Sequence, residues 1–170
     1  MAKLTQKDKV VRGAKFEGEV AASLRFAGAW TLKIIAGYSG TPFDHIAVMP
    51  SQDAIAVECK TVHERRTLPY SRLKNTQGEW KEAEELDKFM QYGDSYILCN
   101  YRTKKTNECY VIPWEIVRDD FWSDINAGKN GSINLEVFPQ SKRIKISDKR
   151  YGWDLKCLSK RNVMEMGHTK

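Results

Sequence analysis

A mixed α/β fold, with a central mixed β-sheet flanked by helices, follows from two features of this 170-residue chain. Apolar residues recur at three- and four-residue steps in three separate segments, and between these lie short, mostly apolar, strand-like runs. The resulting order is helix, three strands, helix, two strands, helix, an interleaved pattern that neither an all-helical nor an all-β domain produces.

The first helix is expected from about Gly13 to Phe26, because Phe16, Val20 and Leu24 share one face with Ala21 and Ala22 beside it. Trp30 to Ala36 reads as a strand, and the turn-like run Gly37 to Pro42 follows it. His45 to Met49 and Ala54 to Val62, joined through Pro50-Ser51-Gln52-Asp53, form a hairpin. A polar stretch, His63 to Gly78, leads to a second helix, on which Trp80, Ala83, Leu86, Phe89 and Met90 mark the buried face. Ser95 to Tyr101 and Glu108 to Ile112 form a second hairpin, and Pro113 opens a third helix carrying Trp114, Val117, Phe121 and Ile125. Beyond Gly128 to Ser132, three strand pieces are expected: Ile133 to Phe138, Arg143 to Ile146 and Tyr151 to Leu158.

Composition bounds the possibilities further. Apolar residues make up 41% and charged residues 29% of the chain, a globular balance at a length that suits one domain spanning 1–170. The net charge of +6 is concentrated at the ends, in a basic N-terminal arm (about 1–11) and a basic C-terminal segment (about 141–170), while the middle is net acidic. Basic ends suit a polyanion such as nucleic acid, and equally suit solvated tails. The first residues lack the apolar core of a secretory signal, and Ala27 to Tyr38 is too short to span a bilayer, so a cytoplasmic protein is expected. Four cysteines without a C-x-x-C pair read as reduced residues, the first three in the core.

The chemistry concentrates around one strand. Within Ala54 to Lys60 the side chains alternate, so Glu58 and Lys60 share a face while Ile55, Val57 and Cys59 take the other. The hairpin turn brings Asp44 back beside Glu58. Two carboxylates packed so closely repel each other unless a cation neutralises them, and hard oxygen ligands suit Mg²⁺. Such a metal with Lys60 beside it is the equipment of phosphodiester hydrolysis. The plainer alternative is that Asp44 caps a turn and Glu58 with Lys60 forms an ordinary strand ion pair; an isolated E-x-K pattern does not separate the two.

A resemblance does. Gly40-Thr41-Pro42-Phe43-Asp44 followed by Ile55-Ala56-Val57-Glu58-Cys59-Lys60 resembles the bipartite signature of the PD-(D/E)XK nuclease superfamily, with an upstream helical glutamate at Glu17. Arg12-Gly13-Ala14-Lys15-Phe16-Glu17, Leu68-Pro69-Tyr70-Ser71 and Gly128-Lys129-Asn130-Gly131-Ser132-Ile133 are similar to segments of Holliday junction resolvases of the RecU type. The likeness runs from about Arg12 to Leu158. It departs in one respect: the sequence between the first helix and Asp44 is too short for the projecting stalk of that type, and is closer there to the compact archaeal resolvases.

The resemblance implies a restriction-endonuclease-like core and a homodimeric endonuclease dependent on Mg²⁺, with Mn²⁺ able to substitute, that resolves four-way junctions in DNA recombination and repair. Asp44, Glu58 and the backbone carbonyl of Cys59 would be metal ligands, Glu17 would complete the acidic cluster, and Lys60 would be the catalytic lysine. Branched DNA would be the partner, with no membrane and no small-molecule cofactor, near the nucleoid of a bacterial or phage-infected cell. Arg12, Ser39, Thr41, Arg65, Arg66, Lys142, Arg143, Lys149 and Arg150 are candidate DNA contacts. Two alternatives stay open: a nuclease of the same superfamily acting on duplex or damaged DNA, and a non-catalytic DNA-binding module. Glu19 is expected to be solvated, His45 to face away from Asp44, and Trp114 and Phe121 to pack in the core or a dimer contact rather than stack on bases.

Overall fold

The structure, a computed structural model, describes residues 5–34 and 43–158. Ser39 and Thr41, with the whole of the turn-like run Gly37 to Pro42, lie outside the described residues.

Helix α1 (Gln6–Phe26) begins well before the expected Gly13. Thr5 and Asp8 form a capping box: the Thr5 hydroxyl accepts from Asp8 N–H at 3.2 Å, and the Asp8 carboxylate accepts from Thr5 N–H at 3.0 Å. Residues 6–11, expected in a basic arm, are therefore helical. The apolar periodicity that placed the start at Gly13 registers only the buried half of the helix. Residues 7–11 are exposed and leave no apolar stripe to detect.

Strands β1 (Trp30–Lys33), β2 (His45–Val48) and β3 (Ala54–Val62) pair antiparallel in succession, with His45 opposite Val57 in the hairpin. After β3 comes a polar segment in which β4 (Thr67–Pro69) leads directly into a short 3₁₀ turn at Tyr70–Leu73. Helix α2 (Lys81–Phe89) then crosses back so that β5 (Asp94–Arg102) lies parallel to β3, Glu58 opposite Ile97. Gly93 lets β5 start this close: a Cβ there would meet the Ala54 carbonyl oxygen at 2.0 Å.

β6 (Asn107–Pro113) returns antiparallel to β5 and leads into α3 (Trp114–Asn126). β7 (Ser132–Asn134) pairs with β4, and β8 (Gln140–Ser141) completes a six-stranded mixed sheet in the order β1-β2-β3-β5-β6-β8. β9 (Arg143–Ser147) and β10 (Arg150–Trp153) form a separate ribbon. Two expected strands are shorter than the sequence suggests. Leu135–Val137 and Lys156–Leu158 are 3₁₀ turns rather than continuations of strands, because apolar runs this short carry no period that separates the two.

The sheet is covered on both faces. On one, Phe16, Val20 and Leu24 of α1 bury Ala47, Ile55, Val57 and Leu98, and Trp153 and Leu155 join them. On the other, Ala83 and Leu86 of α2 and Val117 and Phe121 of α3 cover Ala56, Ile97, Cys99 and Ile112. Each fully buried Leu or Ile contributes about 1.5–3 kcal/mol relative to exposure. Trp114 and Phe121 are core residues, and the indole N–H groups of Trp114 and Trp122 both donate to Asp87 at 2.6 Å. The ribbon is fastened to α1 through Ser23, whose hydroxyl accepts from Trp153 N–H at 2.8 Å. No helix among the described residues is long and apolar enough to cross a membrane.

Candidate active site

The site grows from the way β3 ends. A crossover helix that links parallel strands starts above the carboxyl end of the first strand. The first turn of α2 therefore stands over the segment of β3 that carries Glu58 and Lys60.

Asp44 sits one residue before β2, opposite Glu58 in the register of the hairpin. Its Oδ2 accepts from the Cys59 N–H at 2.7 Å, which fixes the carboxylate between the two site residues of β3. Within a strand, the N–H and C=O of one residue point to the same side. The Cys59 carbonyl therefore faces the same edge, beyond the point where pairing with β2 begins. The Cys59 thiol is held well above its usual pKa by burial, so this residue offers its backbone rather than a nucleophile.

Glu58 and Lys60 share a face as the alternation requires, and the Lys60 ammonium lies 2.6 Å from Glu58 Oε1. It lies also 2.5 Å from Oε2 of Glu82, in the first turn of α2. Glu58 is 4% exposed. One ammonium thus serves two carboxylates, with Asp44 alongside. Burial would by itself depress Lys60, but the charges of Glu58 and Glu82 outweigh it and hold the ammonium protonated. Burial pushes Glu58 well above the usual carboxylate range, with Asp44 and Glu82 adding to the push and Lys60 opposing it. Burial also raises Asp44, to about 6, against the Cys59 N–H and with Glu17 adding repulsion.

Glu82 has no signature in the sequence. Its helical position predicts only a solvated first-turn carboxylate, and its partner lies 22 positions away. Lys60 is positioned by this contact, so Glu82→Ala is expected to slow any reaction that Lys60 serves about 10- to 100-fold. Glu82→Gln, which keeps an acceptor for the ammonium, is expected to stay within about threefold of wild type. Single-turnover kinetics of both variants checks this; equal losses would mean that the charge, not the contact, matters.

Glu17 lies on α1 and pairs with Lys33 at 2.9 Å; its charge reaches Asp44 and Cys59. The close cluster is Asp44, Glu58, Lys60 and Glu82, with Glu17 at its side. Among the described residues no three His, Cys, Asp or Glu side chains are grouped so as to hold a metal ion. The donors that Asp44, Glu58 and the Cys59 carbonyl present are nevertheless all hard oxygens, two of them on carboxylates raised chiefly by burial, Glu58 buried and Asp44 half-buried. That donor chemistry fits a divalent cation such as Mg²⁺. His45 faces α1, as expected, and is fully buried with neither ring nitrogen hydrogen-bonded. Burial lowers it to about 4, leaving a neutral imidazole.

The basic candidates divide into two groups. Arg66 is tied to Glu108 at 3.0 Å and lies over the Tyr101 ring. Arg143 pairs with Glu19 at 3.2 Å and lies over Trp153. Glu19 is therefore not the solvated residue expected; it anchors the ribbon to α1. Arg65, Lys142, Lys149 and Arg150 are exposed, and Arg12 is half-buried on α1.

No protein-family model matches the chain, and no curated protein matches it. Among solved structures, it is similar to Hjc, a Holliday junction resolvase from the archaeal hyperthermophile Archaeoglobus fulgidus. The TM-score is 0.51 at 21% identity, over 75% of this chain and 92% of that one. The fold is thus Hjc-like: a restriction-endonuclease-like mixed α/β core with a central mixed sheet flanked by helices, as expected.

Proposed function

We propose that the chain is a single-domain, metal-dependent endonuclease that resolves four-way DNA junctions by hydrolysing paired phosphodiesters. The observation that carries this reading is the convergence of Asp44, Glu58 and Lys60 at the carboxyl end of β3, in a fold shared with a known resolvase.

Asp44, Glu58 and the Cys59 carbonyl would hold Mg²⁺, or Mn²⁺ in its place, with Glu17 completing the acidic surround. The ion when bound supplies Lewis acidity toward a phosphoryl oxygen and a more acidic water. Lys60 contributes a fixed ammonium, placed to orient the attacking water and to stabilise negative charge as it develops on the phosphate. Its two carboxylate partners keep it charged, and Asp44, bound to Cys59 N–H, keeps the two sides of the hairpin in register. A homodimer is the natural form of such an enzyme, because two opposed strands must be cut. The exposed cations of the 142–150 segment and Arg65 supply backbone contacts, and their effect is to be salt-dependent.

Cleavage of a labelled immobile four-way junction beside matched duplex, with Mg²⁺ and with EDTA, tests the reading. Paired symmetric nicks confined to the junction and dependent on metal are expected. Equal cutting of duplex would replace junction resolution by a general nuclease activity, and salt-sensitive binding with no cutting in Mg²⁺ or Mn²⁺ would leave only a DNA-binding module.

A further inference from the structure

Two segments that resemble resolvase sequence, 68–71 and 128–133, have no part in the chemistry above, yet they lie against each other. β4 pairs with β7, Leu68 opposite Ile133, and Tyr70 N–H donates to the Gly131 carbonyl at 3.0 Å. Gly131 makes the approach possible: a Cβ at that position would come within 2.2 Å of the Tyr70 ring. Beside this junction lies a cavity of about 320 Å³, within the range of small-ligand sites.

Its wall brings together Arg65, Ser71, Trp80, Lys129, Asn130 and Ser132, and among the described residues no Asp or Glu lines it. Arg65 is exposed, and so is Lys129, which pairs at 3.4 Å with Asp124, a carboxylate that lies against Gly131 of the wall. Lys74 lies over the Trp80 ring at 4.2 Å and adds a third cation near the rim. Cations with hydroxyl and amide donors select an anion, and an aromatic wall suits a planar base beside it. The chemistry is that of a phosphate carrying a nucleoside.

The cavity is linked to the proposed cleavage centre through α2 and the 3₁₀ turn. Trp80 immediately precedes α2, whose Glu82 holds Lys60. Arg72, next to Ser71, donates to the Thr61 carbonyl at 3.5 Å, one residue beyond Lys60.

We propose that this cavity binds one nucleotide of a nucleic-acid strand, its phosphate held by Arg65 and Lys129, as a subsite flanking the position that is cut. The inference rests on the nuclease reading for its role, and on the cavity alone for its ligand. A free nucleotide offers the same chemistry, so the test has to separate the two.

Lysine acylation read by mass spectrometry reports on Lys129 directly, with a short oligothymidylate, thymidine 5′-monophosphate and inorganic phosphate as probes at equal phosphate concentration. At least fivefold protection of Lys129 by the oligonucleotide is expected, with little from the other two. Arg65→Ala with Lys129→Ala is expected to weaken junction binding about tenfold and to reduce the slope of log K against log salt by about 1.4–1.8. Both side chains are exposed, so the melting temperature should hold. Equal protection by the monophosphate would overturn the strand assignment in favour of a free nucleotide. Unchanged reactivity together with unchanged affinity and slope would overturn the subsite altogether. Protection and a reduced slope in a protein that cuts no DNA would support the subsite while removing the nuclease reading.

Discussion

Lys60→Met is expected to slow junction cleavage about 10³-fold, the scale of losing a pre-placed charge in a water-poor site, while junction binding stays within about threefold. In the proposed function binding draws on exposed cations elsewhere, and Lys60 is too buried to contribute much to it. The variant has a second, independent signature. Removing the ammonium leaves Glu58 and Glu82 facing each other without a counter-charge, and breaking a buried pair from one side typically costs about 3–5 kcal/mol. Glu58 escapes part of this by taking up a proton, because its carboxyl is already raised by burial and rises further without Lys60.

A carboxyl whose folded-state pKa is raised stabilises the fold below its unfolded pKa, and that contribution is lost as pH rises through the folded value. The deficit of Lys60→Met should therefore be small in mild acid and grow toward alkaline pH. The double variant Glu58→Gln with Lys60→Met should recover most of the stability and none of the cleavage. Thermal melts across pH 5–9 beside single-turnover cleavage check both statements. A deficit independent of pH would mean that Glu58 is not the residue left exposed to the loss.

The central part of this site was legible in the sequence because it depends on strand geometry. The alternation in Ala54 to Lys60 put Glu58 and Lys60 on one face, and the hairpin length brought Asp44 opposite Glu58; both are local rules that tertiary packing had no reason to override. Glu82 was not legible, because its contact with Lys60 exists only once α2 crosses over the sheet. The roles of Glu19 and Arg143 were hidden in the same way: they meet across 124 positions, and each alone reads as an ordinary surface charge. Helix α1 outruns its apolar pattern for a different reason. Its first turns are exposed and stabilised by the Thr5 and Asp8 cap rather than by an apolar face, so the capping box, not periodicity, marks where it starts. The short strand β4 was not legible, because three residues inside a polar stretch carry no alternation; it forms by pairing with β7, which the expected piece Ile133 to Phe138 overlaps.

Asp44→Asn separates function from stability more sharply than any other change at this site. Burial raises the Asp44 carboxyl from 3.8 to about 6, so above pH 6 the metal-free protein holds an ionised group where a neutral one is preferred. The favourable contribution of this group is present below pH 4, where it is protonated in the folded and unfolded chain alike, and disappears as pH rises through 6. Asparagine keeps an oxygen to accept from Cys59 N–H and carries no charge. In EDTA at pH 8 the variant is therefore expected to be more stable than wild type by about 1–3 kcal/mol, since a tenfold change in proton affinity is worth about 1.4 kcal/mol and the site is partly solvated. That corresponds to a rise of about 2–12 °C in melting temperature for a chain of this size. The advantage should shrink to nothing near pH 4. With Mg²⁺ added the order should reverse, because a ligand that binds only the folded wild type stabilises it in proportion to RT ln(1 + [Mg²⁺]/Kd) and the variant has lost a carboxylate donor. Cleavage should be lost in both conditions. A lower melting temperature for Asp44→Asn in EDTA at pH 8 would show that the carboxylate is held by its hydrogen bond rather than strained by burial. A wild-type melting temperature indifferent to Mg²⁺ would remove Asp44 from the metal site.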